Sequence, residues 1–259
     1  MRWPVRSSRA SVPGVYELVP VAQAPQYDDE AEQRFVEEWP EFIFHDLEVR
    51  KYSERRAEFF RADWEFYLVS DDERLIAGCW GVPIAWDGTV DDLPGGFTDA
   101  LVRSVTSYEE GVEANTFVLM AAAVRNDEQG RGHAGRVITA VRDRAIAGGL
   151  PQVIAPVRPT FKSRYPLTPI ETYMTWTRED GLPLDPWVRT HIRLGATLLA
   201  PAPVSQTMTG TVADWEKWTG MVFPSSGSYT IPDGLTLLEI DRTADTGVYR
   251  EPNIWMRHA

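Results

Sequence analysis

The sequence predicts an α/β (α+β) fold in which a mixed central sheet is flanked by helices and extended by a C-terminal β elaboration. Three observations carry that expectation. The apolar stretch 115–124 runs into a glycine-rich turn and an amphipathic stripe, hairpin signals at 65–86 require antiparallel neighbours, and several short strand-like runs follow residue 195. At 259 residues and 43% hydrophobic, the chain can bury one large core or two small ones. No internal repeat or low-complexity linker divides it. The simplest organisation is therefore a flexible arm over 1–14 and one domain over 15–259, with a C-terminal extension from about residue 200.

Each element has its own signal. Tyr16 to Val21 reads as a strand. The i, i+3, i+4 pattern of Phe35, Val36 and Trp39, and that of Tyr52, Arg56, Phe59 and Phe60, predict helices over 28–39 and 49–64. Two apolar runs, 65–69 and 74–86, are separated by Asp71-Asp72-Glu73 and form a hairpin. Residues 88–96 hold three glycines, a proline and two aspartates, a loop placed to cover a pocket, and a threonine cap opens a helix over 98–110. The stretch 115–124 suits a central strand buried on both faces. After the glycine-rich turn, Val137, Ile138, Val141 and Ala145 make one apolar stripe, which stops at Gly148-Gly149. Residues 152–157 are a strand. Asp185-Pro186 then supplies an N-cap and a first-turn proline, and Gly195 closes that helix. Strands are expected at 196–200, 206–212, 235–241 and 253–257.

Composition excludes several classes. A formal charge of -12 argues against DNA or RNA as the main partner. No run of about 18 apolar residues is present, and no apolar segment follows the charged N-terminus, so the expectation is a cytoplasmic protein without a membrane partner. The single cysteine, Cys79, sits in an apolar stretch and reads as a buried, inert thiol. His45, His133, His191 and His258 lack the spacing of a metal site, so no metal is expected. Trp215, Trp218 and Trp255 read as core and oligomer-contact aromatics, which leaves room for a homodimer.

A strand, a polar turn with two glycines and a helix make an anion site. The unpaired amides and the positive dipole end of the helix converge where a pyrophosphate can sit. Gly130 and Gly132 let the backbone approach phosphate oxygens, and Arg131 adds a cation. The alternative is a glycine-rich turn with no ligand. The dinucleotide fingerprint and the P-loop are excluded by the missing third glycine and the missing Gly-Lys-Ser/Thr.

Residues 119–134, LMAAAVRNDEQGRGHA, resemble the acetyl-CoA signature of the GNAT superfamily, with Gln129, Gly132 and Ala134 at the defined positions of Gln/Arg-x-x-Gly-x-Gly/Ala. Arg125 and Asn126 depart from the frequent His/Asp-Pro at the start of the turn. The resemblance covers about 16–199 and implies a GNAT fold binding acetyl-CoA or another acyl-CoA. The pyrophosphate would lie on Gln129, Gly130, Arg131, Gly132, His133 and Ala134, and the pantetheine along Ala122, Ala123 and Val124 of a strand splayed from its neighbour. A tyrosine acid beyond the next strand is common in the family, and Tyr165 and Tyr173 are its candidates, although each reads first as an aromatic pocket wall.

The region 158–196 is similar to the GNAT-like loading domains of polyketide synthases. By that similarity Thr160 and His191 would act on the substrate, as in decarboxylation of a malonyl-CoA or S-acyl transfer to an acyl carrier protein. His191 shares an apolar helical face with Trp187, Val188 and Leu194 and also reads as a core histidine; Thr160 also reads as a turn cap. Arg158, Lys162 and Arg164 either hold an anion or balance neighbouring acids. The resemblance thus implies three functions: acyl transfer to a small-molecule amine, malonyl-type decarboxylation or S-acyl transfer, and non-catalytic acyl-CoA binding.

Overall fold

The structure, a computed structural model, describes residues 15–37 and 39–258. The expected arm over 1–14 lies outside the described residues, except for its boundary at Val15. In chain order the elements are β1 (Tyr16–Pro20), α1 (Asp28–Val36), α2 (Leu47–Trp64), β2 (Glu65–Ser70), β3 (Leu75–Ile84), α3 (Phe97–Glu109), β4 (Thr116–Val124), α4 (His133–Ala147) and β5 (Gln152–Val157). There follow α5 (Ile170–Tyr173), α6 (Pro186–Arg193), β6 (Thr197–Gly210), α7 (Val212–Thr219), β7 (Gly227–Tyr229), β8 (Leu238–Asp241) and β9 (Thr246–His258).

The strands form one mixed sheet of nine, ordered β1-β2-β3-β4-β5-β9-β8-β7, with β6 paired to β9. Every pairing is antiparallel except β4 with β5. The hairpin β2–β3 turns through Glu73, which adopts φ 60°.

Period-two alternation along β4 serves two layers at once. Phe117 and Leu119 face the cluster that holds Val137, Ile138, Val141 and Ala145 of α4, so the stripe read from the sequence is the buried face of that helix. Val118 and Met120 face the opposite cluster, built with Leu101 and Val105 of α3 and Phe60 of α2. The β3–β4 register shifts between Trp80 and Gly81. A Cβ on Gly81 would come within 2.3 Å of the Val118 carbonyl and 2.2 Å of the Phe117 ring, so only glycine fits there.

The C-terminal part is more regular than the sequence suggests. The expected strands at 196–200 and 206–212 are one strand, β6, interrupted by a register shift between Ala202 and Gln206. Its partner β9 is 13 residues long, of which the sequence signalled five. Helix α7, capped by Thr211 in a reciprocal bond with Asp214, and strand β7 carried no signal strong enough to predict them. Helix α3 begins at Gly96 without a side-chain cap; the hydroxyl of Thr98, the expected cap, donates instead to Asp46 Oδ2 at 2.7 Å. Trp215 and Trp255 are buried in the core of this one chain.

Candidate active site

The site begins where the sheet opens. Strands β4 and β5 pair only over Thr116–Val118 with Gln152–Ile154, although β4 continues to Val124 and β5 to Val157. Beyond that point the backbone of 121–124 loses its β5 neighbour and its residues become half-buried. A parallel pair that separates leaves unpaired peptide groups, which a ligand can satisfy.

The turn after β4 is held from outside. Arg125 Nη1 donates to the Leu75 carbonyl at 3.1 Å and to Glu30 Oε1 at 3.0 Å, and its Nε donates to Asp127 at 2.9 Å. Arg125 thus bolts the turn to β3 and α1, which gives its departure from the family pattern a structural reason. Gly130 and Gly132 adopt φ 75° and 84°, and a Cβ on either would point into open space. Gly132 is the N-cap of α4 and offers no side-chain cap, so the first-turn amides of the helix stay available to an anion.

Around this turn lies a cleft of about 670 Å³. Ala122, Ala123, Val124, Gln129, Gly130, Gly132, His133 and Ala134 of β4, the turn and the start of α4 line it, together with Thr160 after β5 and Trp187, Thr190 and Arg193 of α6. Arg131 is not in the lining; its side chain is 62% exposed and pairs with Glu128 at 2.9 Å. The His133 ring is buried, 4.8 Å from the Tyr16 ring and 3.4 Å from Glu128 Oε2. Glu128 is itself buried and also meets Arg74 at 3.1 Å. A carboxylate ringed by two arginines and a histidine locks the turn, and no local pattern around Glu128 marks it as an inward-pointing acid.

A second cavity of about 320 Å³ adjoins the cleft and shares with it Trp39, Ala122, Arg158 and Trp187. His191 lines this second cavity and is 1% exposed. Its Nδ1 lies 2.9 Å from Nε2 of His258, and its own Nε2 is buried with no hydrogen-bond partner. Burial, and then the neighbouring His258, push the His191 imidazole down to about 3; burial, and then Arg142, push His258 down to about 4. Both rings are therefore neutral near pH 7. Trp187 meets His191 edge-on at 4.6 Å, as the i-4 spacing on α6 implies.

The remaining candidates are placed less centrally. Tyr165 packs against Trp176 at 5.0 Å and lines neither cavity. The Tyr173 hydroxyl donates to Asp185 Oδ2 at 2.9 Å, while Asp185 Oδ1 accepts from the amides of Trp187 and Val188; Tyr173 thereby braces the cap of α6. Burial and the Asp185 carboxylate push its phenol up. The basic cluster is dispersed. Lys162 is buried, donating to the carbonyls of Tyr165 and Leu235 and held down to about 8 by burial, and Arg164 lies over the Phe161 ring at 3.8 Å. Arg158 alone of the three reaches both cavities, with Nε on the buried carboxylate of Glu251 and Nη2 on the Asp233 carbonyl at 2.7 Å. Cys79 is buried, and burial pushes its thiol well up, which leaves it unreactive.

Sequence reasoning missed Gln206, Asn253, Glu251 and Trp80, which complete the second cavity or support it. They come from β3, β6 and β9, and only the register of the sheet brings them together. Among the described residues no group of three or more His, Cys, Asp or Glu is placed to hold a metal, and no helix is long and apolar enough to cross a membrane.

A parallel pair splayed beside a glycine-rich helix start, in a mostly antiparallel sheet flanked by helices, defines the GNAT fold, and this chain has it. The structure is similar to the loading GNATL domain of CurA from Lyngbya majuscula, with a TM-score of 0.56 and 15% identity over 94% of this chain and 97% of that one. It is also similar to the GphF GNAT-like decarboxylase in complex with isobutyryl-CoA, with a TM-score of 0.50 and 14% identity over 95% and 98% of the two chains. In sequence the chain is 27% identical, over 98% of its length and 97% of the relative's, to the arginine N-acetyltransferase avaD of Aspergillus versicolor. No protein-family model matches it.

Proposed function

We propose that this chain is an acyltransferase that passes an acyl group from acyl-CoA, held in the cleft, to a small-molecule amine held in the adjoining cavity. The observation that carries the reading is the junction of the two spaces at Ala122, beside the opened end of β4. The full-length similarity to an N-acetyltransferase, and the isobutyryl-CoA complex of a protein with this fold, support it. The continuous nine-stranded sheet supports reading 15–259 as one domain.

The residues divide the work by position. The amides at 130–134 hold the pyrophosphate, and the peptide groups at 122–124 that face away from β3 align the pantetheine and polarise the thioester carbonyl. His191, neutral and with Nε2 uncommitted, takes a proton from the attacking amine. Thr160, which lines the cleft, is the candidate donor to the leaving thiolate; Tyr165, which lines neither cavity, is not placed for that role. Incubation with acetyl-CoA and a panel of amines is expected to release free thiol and an N-acetyl product. Tight CoA binding with no turnover of any acyl donor would instead assign a non-catalytic acyl-CoA-binding role.

A second reading, decarboxylation of a malonyl-type CoA with or without S-acyl transfer to a carrier protein, is favoured by one observation: Thr160 and His191 line adjoining spaces that meet at Trp187. Because the His191 imidazole is neutral, this reading needs another group to protonate the carbanion left by CO₂ loss. Conversion of malonyl-CoA to acetyl-CoA by the protein alone, abolished in His191→Ala, would establish this reading in place of the first.

A further inference from the structure

The second cavity has a chemical character that narrows what it can hold. Five Phe and Trp residues, Trp39, Phe44, Trp80, Phe97 and Trp187, line it, and among the described residues no Asp or Glu does. A guanidinium, which cannot shed its charge, would meet no counter-charge there, whereas an α-amine can enter neutral.

The polar groups present are of another kind. Gln206 is 6% exposed and lines the cavity, yet its amide has no hydrogen-bond partner among the described residues. It stands opposite Glu251 across β6 and β9, so it shares the face on which Glu251 holds Arg158. Arg158 commits Nε and Nη2 to Glu251 and the Asp233 carbonyl, and its Nη1 has no hydrogen bond among the described residues. An amide that lines a cavity without a partner in the chain leaves its donor and acceptor for a ligand to pair. An amide donor with a guanidinium beside it complements a carbonyl-type oxygen, and the rings complement a flat apolar body.

Resting on the transferase reading above, we infer that this cavity is the acceptor site and that it selects an amine with an aromatic side chain and an adjacent carboxamide or carboxylate over one with a cationic side chain. The acceptor nitrogen bonds to the thioester carbon, the C–S bond breaks, and one N–H proton passes to His191 Nε2. The sulfur departs as thiolate and takes up a proton to leave as free CoA thiol. Gln206 and Arg158 hold the oxygen next to the reacting amine, and the rings hold the aromatic body.

The test compares L-tryptophan, L-tryptophanamide, tryptamine and L-arginine as acceptors with acetyl-CoA on the full chain. Tryptophan or its amide is expected to exceed both tryptamine and arginine about tenfold in kcat/KM, and which of the two is faster tells carboxylate from amide. Arginine as the equal or better acceptor overturns the inference while leaving the transferase reading standing. If no acceptor releases thiol, calorimetric titration of the CoA-loaded protein decides separately: tighter binding of tryptophanamide than of arginine sustains the inference, and equal, weaker or absent binding overturns it. Gln206→Met is expected to raise KM for tryptophanamide about tenfold, the worth of one hydrogen bond, with KM for tryptamine and acetyl-CoA unchanged. A uniform loss across all acceptors would make Gln206 merely structural and overturn its role.

Discussion

Nδ1 of His191 lies 2.9 Å from Nε2 of His258, joining α6 to the end of β9 through two neutral, buried rings. Only one proton can occupy that hydrogen bond. When His191 donates it, its Nε2 carries the lone pair that a base needs, so His258 is a positioning residue that selects the tautomer. His258→Phe should lower kcat by about 10- to 100-fold with the acyl-CoA KM unchanged, a part of the roughly 10²- to 10⁴-fold that a general base contributes. His258→Gln, whose amide oxygen can accept the same proton, should recover part of that loss. Steady-state kinetics of the two variants make the comparison, and an unaltered kcat in His258→Phe would remove His258 from the mechanism.

The same pair links stability to pH. Each ring titrates lower when folded than the 6.5 of a free imidazole, so between about pH 6.5 and 4 the unfolded chain binds more protons than the folded one. Stability is therefore intact above pH 6.5 and is lost as the pH falls through that window. At pH 5 the loss is roughly 2 kcal/mol per ring, from about 1.4 kcal/mol for each unit of difference. Urea unfolding at pH 7 and pH 5 should register it. The double variant His191→Phe/His258→Phe should lose less between the two pH values than the unsubstituted chain.

Gly132 separates strain from ligand contact. At φ 84° an alanine is strained by roughly 1 kcal/mol, while nothing in the chain obstructs its Cβ. Gly132→Ala should therefore cost little stability. It should nonetheless raise KM for acyl-CoA by about tenfold or more, because the methyl group projects where a phosphate oxygen must approach. Asparagine tolerates the left-handed conformation better, so Gly132→Asn should be more stable than Gly132→Ala and bind acyl-CoA at least as poorly. Thermal melts beside initial-rate kinetics separate the two effects.

The half of the site built from local chemistry was legible in the sequence. The apolar run of β4, the paired glycines and the α4 stripe each depend on near neighbours, and all three stand where expected. What failed depended on distant partners. The hydroxyl of Thr98 bonds Asp46, 52 residues away, in place of capping α3. The phenol of Tyr173, a candidate acid, is committed to Asp185. Gln206 and Asn253 reach the acceptor cavity only because β6 and β9 pair in one register, and no periodicity in either segment announces that register.

Arg158 and Glu251 offer a last test, because their ion pair lies at the wall common to both cavities. Burial pushes the Glu251 carboxyl up while Arg158 opposes it, and the Tyr249 hydroxyl donates to the same carboxylate. Removing one member of such a pair leaves the other uncompensated in a poorly solvated place. Glu251→Gln keeps the volume and one acceptor oxygen but strips the charge, and should destabilise the chain by about 3 kcal/mol in denaturant unfolding. Arg158, released from its anchor, should then lose its aim at the acceptor. KM for the acceptor should rise by about tenfold, whereas the acyl-CoA KM, set chiefly by backbone amides at 130–134, should change far less. An acceptor KM unmoved in the folded variant would show that Arg158 keeps its place by the Asp233 carbonyl alone.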